Sequence, residues 1–203
     1  MGHSVHLIIG QPASIASFQH IWPVARVVEL RGGWQAIPVD DALYQAIEAR
    51  YPGAQRPSGL DVSPLGLGEA LADATRGGGS LAYVETEYFG GTGGQSAMAY
   101  VDGREVMSPQ RARGGGGPIN QALRRIGAVR TEADDEFDTI GLGERRTMTD
   151  YEPEGPVRLR PQETTKKETA AAAESAKAFV SLWQVVLVIV ACIAVGVFIS
   201  AAG

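Results

Sequence analysis

Apolar and polar positions alternate through the middle of the chain in the pattern of paired β-strands. Leu81 to Tyr88 and Gln95 to Val101 each have this pattern, and a third strand is predicted from Arg104 to Met107. Asp102-Gly103 is a preferred two-residue hairpin turn, and it separates the second strand from the third. We therefore expect an antiparallel meander, with the glycine-rich segment from Gly90 to Gly94 as its first connection.

Around this meander the spacing changes to that of short helices and further strands. Asp40 is placed to cap a helix that begins at Asp41, and Pro118 is placed in the first turn of another. The remaining predicted elements are a strand over Val5 to Ile9, a helix around Ile15 to Trp22, a hairpin of Val24–Leu30 with Trp34–Val39, a helix over Leu67–Thr75 and an acidic helix over Asp134–Leu142. The pattern predicts one α+β domain over residues 1–150 with a mostly antiparallel sheet.

The most apolar part of the chain is its C-terminus. From Phe179 to Ile199 there is no charged side chain, and a helix of that length spans about 31 Å, the thickness of a bilayer core. The sequence predicts a single transmembrane helix over 179–199, followed by a short non-cytoplasmic end at 200–203. Cys192, Gly196 and Ser200 recur at four-residue spacing, a stripe of small residues that either lets two such helices pack as a homodimer or has no packing role.

Two segments separate the predicted domain from the predicted span. Residues 151–162 are rich in proline, which favours an extended linker, and residues 163–178 are rich in alanine and alternating charge, which favours a helical stalk. Lys166, Lys167 and Lys177 all precede the span, so the positive-inside rule places the N-terminal domain in the cytoplasm. We expect a tail-anchored, single-pass protein of the inner membrane whose partners include the lipid bilayer.

Composition excludes several functional classes. The first 150 residues contain 13 arginines, 18 acidic residues and no lysine, which excludes a P-loop or lysine Schiff base and argues against nucleic-acid binding. Cys192 is the single cysteine, and His3, His6 and His20 are poorly spaced for a metal. No cofactor or metal site is predicted, and the use of Arg, Ala and Gly in place of Lys suggests a GC-rich bacterial genome.

The candidate binding residues begin in the meander. Glu85 and Glu87 are two apart on a strand and therefore share a face, where they form either an acid/base pair or a contact surface for a basic partner. The glycine-rich connection lacks a following helix that would favour phosphate binding, so a grip on the backbone of a partner is the preferred interpretation. That interpretation adds Tyr88, Gly91, Gly93 and Gln95 to the candidate residues.

Two further segments carry charge. Arg111 and Arg113 precede four glycines and the predicted helix at Pro118, an arrangement that is either an anion site or a solvated loop. Asp134, Asp135 and Asp138 open the predicted acidic helix, where negative charge stabilises the helix N-terminus or binds a cationic protein.

No set of residues matches an enzyme signature, and two functions from different classes follow. The first is a non-enzymatic protein-binding module of immunity or adaptor type, held at the inner membrane face and binding a protein there. The alternative is a small membrane-tethered hydrolase or transferase that uses Glu85 and Glu87 with the loop from Arg111 to Pro118. The alternative requires those segments to converge in one pocket.

Overall fold

The fold was analysed on a computed structural model, which describes residues 2–90, 92–113, 117–132 and 134–152. The described strands are β1 (His3–Gly10), β2 (Val28–Glu29), β3 (Gln35–Pro38), β4 (Ser80–Phe89), β5 (Thr92–Val101) and β6 (Arg104–Arg113). The described helices are α1 (Pro12–Ile21), α2 (Asp41–Arg50), α3 (Leu67–Thr75), α4 (Pro118–Arg125) and α5 (Glu136–Thr139), with 3₁₀ turns at Arg31–Gly33, Leu142–Glu144 and Met148–Tyr151.

The strands form one six-stranded sheet in the order β2-β3-β1-β4-β5-β6, and each neighbouring pair is antiparallel. The predicted α+β domain with a mostly antiparallel sheet is therefore confirmed. The predicted linker from residue 153 onward, the stalk and the span with Cys192, Gly196 and Ser200 lie outside the described residues. Within the described part of the chain, every helix is too short or too polar to cross a bilayer.

Both faces of the sheet are covered by apolar side chains, so the domain has two cores. Ile8, Tyr83 and Met98 pack on one face against α1, α2 and α3. Leu7 and Val84 pack on the other face, with α4, the 3₁₀ turns and Tyr151. A strand buried on both faces needs consecutive apolar residues, which is why Leu7, Ile8 and Ile9 are apolar in succession. Each fully buried Leu, Ile or Phe in these cores stabilises the fold by about 1.5–3 kcal/mol.

Local signals placed several elements correctly. The side chain of Asp40 accepts a hydrogen bond from the backbone N–H of Leu43 at 3.0 Å, so it caps α2 as predicted. Asp102 and Gly103 both have positive φ, at 51° and 74°, and they join β5 to β6 as the predicted turn. Pro118 begins α4, and α3 has the predicted bounds.

The predicted start of β5 and the predicted end of β6 are wrong, because both strands are longer than the sequence pattern indicates. Gly93 and Gly94 lie inside β5 instead of in a connecting loop, and Arg111 and Arg113 lie inside β6. Backbone pairing of Glu87 with Gly94, and of Gly94 with Arg113, overrides the low strand propensity of glycine.

Two predicted elements near the edges of the domain are shorter than expected. The acidic helix covers only Glu136–Thr139, because Gly141 adopts a left-handed φ of 83° and ends it before the 3₁₀ turn Leu142–Glu144. The first strand of the predicted early hairpin is only Val28–Glu29, and it pairs with β3.

Candidate functional site

The face of the sheet that packs against α1, α2 and α3 also carries a row of polar residues, next to the part that these helices cover. The row crosses four strands by direct pairing: His6 with Glu85, Glu85 with Ser96, and Ser96 with Arg111. Side chains of directly paired residues lie on the same face of a sheet. We call these four residues the inner row.

A second row lies two residues away on each strand and repeats the glutamate of β4 and the arginine of β6. It consists of Ser4, Glu87, Gly94 and Arg113, again joined by direct pairing. Because side chains two apart share a face, this outer row lies beside the inner row. Each row thus has an acid on β4, a small residue on β5 and an arginine on β6.

The two rows form a trench that runs along β5. Its floor is made of the small residues Gly94 and Ser96, its β4 wall carries carboxylates, and its β6 wall carries guanidinium groups. Two interstrand spacings separate the walls, a distance of about 10 Å. The pocket at this place has a volume of about 620 Å³, and its lining includes Glu85, Glu87, Arg111 and Arg113 together with Asp61 and Val62.

In the inner row, the loop between α2 and α3 crosses the trench. Glu85 is 4% exposed, and its carboxylate accepts hydrogen bonds from the backbone N–H groups of Asp61 at 2.7 Å and Val62 at 3.3 Å. The Tyr83 hydroxyl donates to the same carboxylate at 3.2 Å. The carboxylate of Asp61 in turn pairs with Arg111 at 2.5 Å. We call residues 61–62 the strap, because they join the acidic wall to the basic wall.

The outer row has no such strap. Glu87 and Arg113 are both exposed, and neither side chain forms a hydrogen bond or an ion pair with another described residue. Phe89 follows Glu87 on the same face and is 85% exposed at the tip of the β4–β5 hairpin. The outer row therefore presents an acid, a base and an aromatic ring to solvent around a glycine floor.

The glycines of the trench have different roles. A Cβ atom on Gly94 would lie 3.3 Å from the carbonyl oxygen of Ala112 and 3.6 Å from Nε of Arg111, so glycine leaves room on the floor for the guanidinium of Arg111. Gly93 has a φ of 152°, and a Cβ there would overlap the carbonyl oxygen of Glu87 and lie 2.6 Å from Cα of Tyr88. Gly93 is thus required by the backbone. Gly91 lies outside the described residues.

Tyr88 and Gln95 belong to a different site, on the opposite face of the sheet. Nε2 of Gln95 donates to the Tyr88 hydroxyl at 3.2 Å, and Oε1 of Gln95 accepts from the backbone N–H of Ile119 at 3.4 Å. They line a pocket of about 320 Å³ that also includes His3 and Asn120. The structure therefore divides the predicted binding residues between two faces.

The predicted acidic cluster also lies away from the trench. Asp135 caps α5 through a hydrogen bond from the N–H of Asp138 at 3.0 Å, and it accepts another from Asn120 at 2.7 Å. Burial raises the pKa of Asp138, and the neighbouring charges of Asp135 and Asp134 raise it further. These three aspartates do not join Glu85 and Glu87 in one acidic surface.

Two histidines border these sites. Burial lowers the pKa of His6, against the opposing effect of the Glu85 and Glu87 charges, and burial likewise lowers the pKa of His3. Nδ1 of His3 lies 2.6 Å from the Thr86 hydroxyl oxygen. Within the described residues, no group of histidine, cysteine, aspartate and glutamate side chains is arranged to hold a metal ion.

Sequence reasoning missed the strap and the floor. Asp61 and Val62 lie in a loop rich in proline and glycine, and no local pattern marks them as partners of Glu85. The floor had a signal, since Thr92, Gly94 and Ser96 alternate as small residues on one face of β5.

Glu85 serves as an anchor in this arrangement. Both oxygens of its buried carboxylate accept hydrogen bonds within the protein, and two of these bonds hold the strap. No protein-family model matches this chain, and neither a curated protein nor a solved structure matches it.

Proposed function

We propose that the protein is a non-enzymatic protein-binding module of immunity or adaptor type, anchored by its C-terminal tail to the inner membrane with the domain in the cytoplasm. The observation that supports it most is the outer row. Glu87, Arg113 and Phe89 are exposed around the glycine floor at Gly94, and the side chains of the first two form no hydrogen bond or ion pair among the described residues. Exposed charges beside an exposed aromatic ring are typical of a recognition surface.

The membrane part of the proposal rests on the sequence of 179–199, which has no charged side chain and is long enough to span a bilayer. Tethering confines the domain to a thin layer beside the membrane and raises its effective concentration toward membrane-proximal partners. Extraction of membranes at alkaline pH tests this part. The full chain should stay in the membrane fraction, whereas a chain that ends at residue 178 should be released. Release of both forms would contradict the anchor.

A photo-crosslinking amino acid at position 89 tests the binding role in cells. Phe89 borders the outer row, and Val129, which is 75% exposed and lies outside the trench, is the control position. We expect a defined cross-linked product from position 89 that is absent from position 129. The product should weaken when Glu87→Lys or Arg113→Glu is added. The same products from both positions, or none from position 89, would refute the binding role.

The alternative function is a small membrane-tethered hydrolase or transferase. One observation favours it: Glu85, Glu87, Arg111 and Arg113 do line a single pocket. A panel of ester and phosphate substrates tests it. Turnover that is lost in both Glu87→Gln and Arg113→Gln, while Glu132→Gln keeps it, would favour the enzyme over the binding module.

A further inference from the structure

The strap is an internal example of a polypeptide bound in the trench. A single residue, Asp61, spans both walls: its backbone N–H donates to Glu85 at 2.7 Å, and its carboxylate pairs with Arg111 at 2.5 Å. The next residue, Val62, donates its own N–H to Glu85 at 3.3 Å. The inner row therefore holds an aspartate followed by an apolar residue, using one acid and one arginine.

The outer row offers the same groups at the same spacing. Glu87 corresponds to Glu85, and Arg113 corresponds to Arg111, because each pair is two residues apart on one strand. The floor is lower, since Gly94 takes the place of Ser96. Thus the two rows differ mainly in that residues 61–62 occupy only the inner one.

We infer that the outer row binds an extended segment of the partner that contains an aspartate followed by an apolar residue. The backbone N–H of that aspartate donates to Glu87, and its carboxylate pairs with Arg113. Phe89, at the open end of the trench, contacts the apolar residue. The inference rests on the proposed binding function and names the chemistry of the partner.

Charge gives this site its specificity. A lysine at the aspartate position would meet the guanidinium of Arg113, and like charges placed together strongly disfavour the wrong partner. An asparagine would keep the shape but would lose the charge-assisted bond to arginine, which is about twice as strong as a neutral one. The site should therefore rank peptides in the order aspartate, asparagine, lysine.

Binding of short synthetic peptides to the full chain in detergent tests this ranking by fluorescence anisotropy. The probe is Gly-Leu-Asp-Val-Ser-Pro, which copies residues 59–64, with a fluorophore on its N-terminus so that no ammonium group competes for Glu87. Two matched probes carry asparagine or lysine at the aspartate position. We expect affinity for the aspartate probe to exceed that for the asparagine probe by about tenfold, the difference between a charge-assisted and a neutral hydrogen bond.

Variants of the protein locate the site. Arg113→Glu should abolish binding of the aspartate probe and create binding of the lysine probe, whereas Arg104→Glu, at the far end of β6, should change neither. Gly94→Leu should block binding by filling the floor, at a position without a positive φ. Circular dichroism of each variant shows that the domain is folded.

The outcomes separate this inference from the proposed function. Equal binding of the three probes, or no binding at millimolar concentration, would overturn the inference. Sensitivity to Arg111→Glu but not to Arg113→Glu would also overturn it, because the probe would then displace the strap from the inner row. The proposed function would still stand in these cases if position 89 gives its specific cross-link in cells, because that experiment does not depend on the peptide sequence.

Discussion

Replacing Glu85 by glutamine should loosen the strap and destabilise the domain measurably. The carboxylate is 4% exposed and accepts from two backbone N–H groups and the Tyr83 hydroxyl. The amide of Gln has one acceptor oxygen, so it keeps one of the backbone bonds without the charge and places an NH₂ group against the other N–H. A hydrogen bond to a charged group contributes about 1.5–3 kcal/mol and a neutral one about 1 kcal/mol, so Glu85→Gln should lower the free energy of unfolding by about 2–3 kcal/mol.

Thermal unfolding of the full chain in detergent, followed by near-UV circular dichroism, measures this loss. For a domain of this size, 1 kcal/mol lowers the melting temperature by about 2–4 °C, so Glu85→Gln should lower it by about 7 °C. Hydrogen exchange adds a local measurement. The amides of Asp61 and Val62 should exchange faster in the variant, while those in the middle of β4 and β5 keep their protection until global unfolding.

The matched control is Glu132→Gln, which makes the same chemical change at an exposed position. It should leave the melting temperature within about 1 °C of the parent, as is usual for surface substitutions. If Glu85→Gln behaves like this control, and exchange of residues 61–62 is unchanged, the carboxylate does not hold the strap. The strap then no longer serves as an example of how the outer row binds a peptide.

Three further predictions concern stability. Burial lowers the pKa values of His3 and His6 below the ordinary 6.5, so near and below pH 6.5 the unfolded chain binds more protons than the folded one. Stability to urea should therefore fall as the pH drops below about 6.5. Gly93→Ala should cost at least about 2 kcal/mol, because a Cβ there overlaps the β4 backbone and the φ is 152°. Arg124→Met should cost about 2 kcal/mol in urea unfolding, because Glu136 is 2% exposed and contacts Nη1 of Arg124 through both oxygens at 2.9 Å.

Each of these has a control of similar chemistry. Replacing His3 and His6 by glutamine should flatten the pH dependence, whereas His20→Gln, at an exposed position on α1, should leave its slope unchanged. Gly94→Ala should cost less than Gly93→Ala, since Gly94 has no positive φ. Arg125→Met changes the exposed neighbour of Arg124 and should be nearly neutral. Equal effects within any of these pairs would contradict the corresponding contact.

The parts of the fold that could be predicted are those with local causes. Asp40 caps α2, and Asp102-Gly103 turns β5 into β6, because each acts on backbone groups within a few residues of itself. The strand ends could not be predicted in the same way. Gly94 pairs with Glu87 and Arg113 because neighbouring strands supply the hydrogen bonds, and intrinsic propensity describes only the residue itself.

The candidate site shows the same division. The shared face of Glu85 and Glu87 follows from the two-residue period of a strand, and it could be predicted without knowledge of the sheet. The strap could not, because Asp61 and Glu85 are 24 residues apart and are brought together only by the tertiary fold. The basic wall could not be predicted either. The sequence pattern ends the third strand at Met107, whereas β6 extends to Arg113 and so places Arg111 and Arg113 opposite the acids.

The length of the three strands is itself an argument for a role of the trench. β4, β5 and β6 each contain 10 residues, about twice the usual length of a strand. On the face of α1 to α3, the apolar part of β4 ends at Tyr83, and the residues beyond it bury little apolar surface. Glycine on the floor and unpaired charge on the walls weaken a strand instead of stabilising it. A surface that adds little to the core and still keeps Glu87, Gly94 and Arg113 in register therefore supports the proposed binding role.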